Sequence, residues 1–143
     1  MPIGMTAHIV FTAIDKKRPA TQSKKAIKLM REHLGFGGLL LSDDLCMNAL
    51  SGNLTQRAEK SLKAGCDLVI HWTGDRAEME QVMAGVGKLK GGAKRRADAA
   101  LARIVHTPEP LDLAEAHARF DALMSRWLEA AQGPDVGEAQ APQ

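Results

Sequence analysis

Three apolar, strand-like runs, MTAHIVF (5–11), GLLLS (38–42) and CDLVIHW (66–72), each precede a stretch with helical spacing, and their starts lie about thirty residues apart, the length of one βα unit. That alternation predicts parallel strands joined by right-handed crossovers. Ser23 stands as N-cap of a helix running to about His33, with Gly35 at its C-terminal end. A second helix is predicted from about Leu54 to Ala64, stopped by Gly65, and GDRAEMEQVMAGV (74–86) places Met79, Val82, Met83 and Val86 at helical spacing. Beyond the Gly-rich connector GVGKLKGG, AKRRADAALARIVH reads as an amphipathic helix. Pro108 and Pro110 punctuate before a last helix from about Leu113 to Ala131, so 107–131 is expected to be a helical extension and 132–143 a disordered tail.

Periodicity leaves two α/β architectures open, part of a (β/α)8 barrel or a small doubly wound sheet. Leu39-Leu40-Leu41 has no polar interruption, which is the habit of a strand buried on both faces of a helix-covered parallel sheet. In such sheets chemistry gathers at the carboxyl edge, and this strand delivers Asp43 and Asp44 there. His8 and the His71-Trp72 pair are expected at the same edge. A carboxylate in that position can act as nucleophile, base or magnesium ligand, or simply cap the following turn.

Composition removes several classes of function. With 45% hydrophobic and 25% charged residues the chain has the make-up of a folded domain rather than a disordered one. No apolar stretch reaches the roughly 18 to 20 residues that span a bilayer, and MPIGMTAHIVF lacks a basic n-region and a long h-region, so neither a membrane nor export is expected. Cys46 and Cys66 form neither a disulfide framework nor a Cys-x-x-Cys pattern, which points to a reducing, cytoplasmic setting with both thiols structural. A net charge of +2, with three Phe, two Trp and no Tyr, argues against nucleic acid as a partner. Lys16, Lys17, Arg18, Lys24, Lys25, Lys28 and Arg31 read as a solvated loop and helix face.

MTAHIVFTAID…RPAT, LGFGGLLLSDDLCMNAL and RAEKSLKAGCDLVIHWTGD together resemble, in order and spacing, the later part of the bacterial β-N-acetylglucosaminidases of glycoside hydrolase family 3, the cytoplasmic enzymes of peptidoglycan recycling. The likeness covers roughly residues 3–106, and its most specific element is the Ser-Asp-Asp-Leu-x-Met run, Ser42 to Met47. It implies a partial (β/α)8 TIM barrel, with 1–106 as its last three βα units and C-terminal helices after it. It implies that Asp43 is the catalytic nucleophile, that Asp44 orders the loop, and that Asp44, His8, Met47 and His71 line the substrate pocket. His8 reads equally well as a satisfied histidine fixing the strand end, and Trp72 as packing. Cys46 stands where a serine is common and Gly37 where an aspartate is common. The implied substrate is an amino-sugar glycoside cleaved with retention, with no cofactor and no metal.

The family's acid/base, a histidine with a partner aspartate on a loop introduced by a KHFPGHG-like sequence, is not in this chain, nor are the upstream residues that grip the sugar. The expectation is therefore of a chain that carries the nucleophile, is inactive alone, and needs the missing N-terminal barrel portion as partner. Two other readings stay open: a non-catalytic remnant or interaction module, and a receiver-like phosphotransfer domain with magnesium at Asp43 and Asp44. The second is disfavoured because no Asp ends the strand DLVIHW.

Overall fold

The computed structural model describes residues 1–105 and 107–131; His106 and the tail expected over 132–143 lie outside the described residues. The chain divides into two units, Met1–Val105 and His106 onward. The first holds three parallel strands, β1 (Ile3–Met5), β2 (Leu39–Asp44) and β3 (Leu68–Ile70), in the order β1-β2-β3. Helix α1 (Lys24–Lys28), winding on into a π-helical turn over Leu29–His33, lies in the first crossover and α2 (Leu54–Ala64) in the second; α3 (Arg76–Ala84) and α4 (Gly91–Leu101) follow β3. The α/β expectation holds. No helix among the described residues is long and apolar enough to cross a membrane.

Local chemistry sets most of these boundaries. The Ser23 hydroxyl accepts the Ala26 amide at the start of α1, and Gly35 takes a φ of +67° just past its end. At α2 the Asn53 side chain accepts the Gln56 amide while the Gln56 side chain reaches back to the Asn53 amide, two otherwise unmet donors satisfied at once. Gly65 closes the helix at a φ of +122°. In the second unit α5 (Leu113–Ala131) starts on Asp112, whose carboxylate accepts the Ala114 and Glu115 amides.

One strand lies elsewhere than the apolar run suggests. β1 is Ile3–Met5, in register with Leu39–Leu41, and not residues 5–11. After the Thr6 amide bonds to the Leu41 carbonyl, the chain leaves the sheet. The carbonyls of Ala7 and Ile9 accept instead from Thr21 and Ala20, and Ile9, Val10 and Phe11 are left exposed. Backbone partners on the returning chain have won over strand propensity.

β2 is covered on both sides, as its unbroken apolar run predicts. Leu40 packs with Ile27, Ala64 and Cys66 beneath α1 and α2, whereas Leu39 packs with Ala97 and Ala100 of α4. Burying a leucine of this kind contributes about 1.5–3 kcal/mol. A third cluster, Leu45, Leu50, Leu54, Ala58 and Val82, pins the loop after β2 onto α2 and α3. Of the apolar residues expected along α3, Val82 is buried while Met79 and Met83 are exposed.

The amino edge of the sheet is tied by Asp67. Its buried carboxylate accepts from Arg31, from Arg96 and from the Leu40 amide, joining α1's extension, α4, β2 and the start of β3. Arg31 is thus an ion-pair partner and not part of a solvated face. Burial alone pushes Asp67 up, but the bond from Arg96, the Leu40 amide and the two guanidinium charges outweigh it and hold the carboxyl below the usual range.

Candidate active site

The carboxyl end of β2 carries one residue more than its neighbour. Leu41 pairs with Leu68 and Asp44 with Ile70, so three steps along β2 match two along β3, and the ladder shifts register between them. Such a bulge re-aims side chains at a strand end. Here it falls on Ser42 and Asp43. Ser42 is fully buried and its hydroxyl accepts the Ile70 amide at 3.0 Å, closing the gap that the extra residue opens.

Asp43 is half-buried. One carboxylate oxygen accepts the Asp44 amide at 2.8 Å, and the other has no protein hydrogen bond among the described residues. A carboxylate oriented at one oxygen and open at the other can attack an electrophilic carbon or take up a proton.

Asp44 is turned to a different task. Its carboxylate accepts the Cys46 amide at 3.1 Å and so caps the turn, while its carbonyl accepts the Met47 amide at 3.3 Å and His8 Nε2 at 2.8 Å. Because that carbonyl can only accept, the neutral His8 ring carries its proton on Nε2, and Nδ1 accepts the Thr21 hydroxyl at 2.8 Å. Thr6 lies 2.9 Å from the same hydroxyl oxygen. Both nitrogens of His8 are therefore engaged within the protein, bracing the backbone behind Asp43.

His71, directly after β3, meets the loop from the other side. Its Nδ1 lies 2.8 Å from Cys46 Sγ, and its Nε2 lies 3.0 Å from Thr73 Oγ1 and 3.4 Å from Glu78 Oε2. Burial first, and then the carboxylates of Asp44 and Glu78, push the Cys46 thiol above its ordinary range. Cys66, buried under Thr21, is pushed up to about 11 chiefly by burial, as suits a packing thiol. Met47 is exposed on the same loop, and Trp72 is 77% exposed rather than packed.

Asp44, Cys46 and His71 thus converge, His8 joins them through a backbone carbonyl, and Met47 stands apart. Two contributors escape sequence reasoning. Arg57, on the first turns of α2, donates to the carbonyls of Gly52, Leu45 and Met47 and staples the loop; nothing in local spacing marks a side chain that binds carbonyls five to twelve residues back. Glu78 had a signal, since Asp75-x-x-Glu78 has capping-box spacing. Asp75 does accept the Glu78 amide, but the Glu78 side chain turns to Thr73 and His71. A cavity of about 520 Å³ lies elsewhere and is lined by Lys17, Arg18, Gln22, Lys60 and Lys63 among others.

Comparison with known proteins places this geometry in a family. Residues 2–107 match the model of the glycosyl hydrolase family 3 N terminal domain. The beta-hexosaminidase of Nitrosomonas eutropha is 44% identical over 68 residues, 46% of this chain and 20% of that protein. That of Bordetella pertussis is 36% identical over 80 residues, 54% and 23% respectively. Among solved structures, the beta-N-acetylhexosaminidase of Beutenbergia cavernae aligns over 71% of this chain and 29% of its own, with a TM-score of 0.51 and 31% identity. CbsA of Thermotoga neapolitana aligns over 71% and 26%, with a TM-score of 0.55 and 30% identity. The chain spans about a fifth of the length of the curated relatives it matches. With a parallel α/β sheet, the Ser-Asp-Asp run at its carboxyl edge and a family match over most of its residues, the chain belongs to glycosyl hydrolase family 3.

Proposed function

We propose that this chain is the nucleophile-bearing part of a β-N-acetylhexosaminidase, with 1–106 forming the last three βα units of a (β/α)8 barrel and 107–131 a helical extension. In this reading Asp43 attacks the anomeric carbon of a β-linked N-acetylglucosamine in a cytoplasmic, muropeptide-type substrate, and hydrolysis of the glycosyl intermediate retains configuration. The observation that carries it is the place of Asp43, at the bulged carboxyl end of β2 with one carboxylate oxygen held by an amide and the other open. Asp44 and His8 hold the loop behind it, and in this reading Met47 and His71 belong to the wall of the sugar pocket that the rest of the barrel completes.

A retaining mechanism needs a second group to protonate the leaving oxygen. Asp44 is occupied as a turn cap and His8 has both nitrogens engaged. The acid/base then comes from a barrel portion outside this chain, and the chain alone turns over negligibly, since losing the acid typically costs about 10²–10⁴ in rate.

The test is reconstitution. Fused to or mixed with the N-terminal barrel portion of a relative, the chain should hydrolyse aryl β-N-acetylglucosaminides. Asp43→Ala should abolish that activity and Asp44→Asn only weaken it, and a fluorosugar that traps the glycosyl enzyme should label the peptide containing Asp43. Activity surviving Asp43→Ala, or a label elsewhere, would overturn the assignment. A folded but inactive reconstituted protein would make the chain a non-catalytic module.

A further inference from the structure

The densest chemistry outside Asp43 is the junction of the β2 loop with the end of β3. We propose that Asp44, Cys46 and His71 bind a divalent transition-metal ion of the zinc class, with Glu78 as the outer partner of the histidine. The inference rests on this chain's own donor atoms and is independent of the role given to Asp43.

Three donors of different kinds, a carboxylate oxygen of Asp44, Cys46 Sγ and His71 Nδ1, all lie within 4.8 Å of one another. Bond lengths of about 2.0–2.3 Å at tetrahedral angles set ligand atoms about 3.5 Å apart, so one ion touches all three after side-chain shifts of no more than about 1.3 Å. Cys46 Sγ and His71 Nδ1, now 2.8 Å apart, need to open by less than about 1 Å to admit it. A small rotation of the Cys46 side chain, on a loop, supplies that.

The histidine is already set for coordination. Its side chain is only 6% exposed, and Nε2 faces Thr73 and the carboxylate of Glu78. The Thr73 hydroxyl donates to Glu78, so its oxygen accepts from Nε2; in the neutral ring the proton sits there and the lone pair of Nδ1 points at the thiol. A carboxylate behind a histidine, fixing its tautomer and orientation, is the usual support of a metal-ligating imidazole. The other two ligands are equally anchored. Asp44 is paired to β3 and gripped by His8 through its carbonyl, and the Cys46 amide is bonded to the Asp44 carboxylate.

Charge decides between a metal site and a reactive thiol. Cys46, His71 and Glu78 also have the order of a nucleophile, a base and an orienting acid. A thiolate nucleophile needs electropositive surroundings, whereas this thiol is faced by two carboxylates. Among the described residues no Lys or Arg side chain bonds to Asp44, Cys46 or Glu78. A dication balances that excess of negative charge and stabilises the thiolate it binds. The mixture of sulfur, imidazole nitrogen and one carboxylate selects zinc or cobalt over magnesium and calcium, which prefer all-oxygen shells. Three protein ligands leave one position for water or another small ligand.

Cobalt titration of the full chain tests the proposal. One Co(II) per chain should bind with a thiolate-to-cobalt charge-transfer band and the strong d–d bands of four-coordination, and Zn(II) should bleach both. Cys46→Ser should abolish the charge-transfer band. Glu78→Gln should keep it with affinity lowered about tenfold, and both Asp43→Ala and Cys66→Ala should leave it intact. In the unsubstituted chain Zn(II) should protect Cys46 from alkylation by iodoacetamide, read by peptide mass spectrometry, so the answer does not depend on any variant folding. Absence of a thiolate band, a band that survives Cys46→Ser, or alkylation of Cys46 at an unchanged rate in Zn(II) would overturn it.

Discussion

Asp67 and Asp43 sit at opposite edges of the same sheet and are treated in opposite ways. Two guanidiniums and an amide take up the Asp67 carboxylate, whereas Asp43 is met by a single amide. The first arrangement spends its charge on stability. Asp67 is 6% exposed, so Asp67→Asn leaves Arg31 and Arg96 without their anion and is expected to destabilise by about 3–5 kcal/mol at neutral pH, measured by urea unfolding. Its pKa is lowered in the folded state, so the stabilisation is complete above the unfolded value of about 3.9 and is lost as pH falls through the lower folded value. The gap between parent and variant should therefore stay constant from pH 7 to about 5 and close in stronger acid. A gap that persists unchanged at pH 2 would mean that packing, not charge, is at work. Sequence could place the Ser-Asp-Asp run at a strand end because strand, turn and motif are all local. It could not single out Asp67, whose partners lie 27 to 36 residues away.

At the scale of elements, what was legible follows the range of the forces involved. Helices α2 and α5 occupy the residues that spacing and flanking punctuation predict, since capping by Asn53 and termination at Gly65 are decided within one turn. β1 was misplaced because its pairing with Leu39–Leu41 is settled by residues more than thirty positions away, while MTAHIVF has the better strand composition. The bulge between Leu41 and Asp44 was likewise invisible, being a property of two strands. Packing between α2 and α3 gives a sharp test. A Cβ on Gly85 would fall on the Thr55 carbonyl oxygen and crowd Ala58. The obstacle is backbone, so Gly85→Ala must push α3 off α2 and loosen the Val82 cluster, at a cost of about 1–3 kcal/mol. Its φ of −93° suits any residue, which makes the clash the whole effect. Thermal unfolding that matches the parent would show that the two helices are not held that closely.

For the molecule as a whole, the decisive feature is how much apolar surface the described residues leave uncovered. In the first unit β1 and β3 are both edges of a three-stranded sheet, and Ile9, Val10, Phe11 and Trp72 are exposed. In the second unit Phe120, Leu123, Met124, Trp127 and Leu128 form an exposed stripe at helical spacing. Covering one large apolar side chain contributes about 1.5–3 kcal/mol, so joining a handful of them offsets the roughly 4–15 kcal/mol that association costs. Open strand edges favour the same outcome. The chain alone is accordingly expected to self-associate at micromolar concentration and to bind dyes that report exposed apolar surface. With Trp72 and Trp127 at 77% and 62% exposure, tryptophan emission should be solvent-like and readily quenched by acrylamide in dilute solution, moving to shorter wavelength as the chain associates or is joined to a matching barrel portion. Sedimentation velocity over a concentration series, with emission recorded on the same samples, checks both parts. A monodisperse monomer with cooperative unfolding and shielded tryptophans would show instead that these faces close on one another, and would favour a small non-catalytic domain over part of a larger barrel.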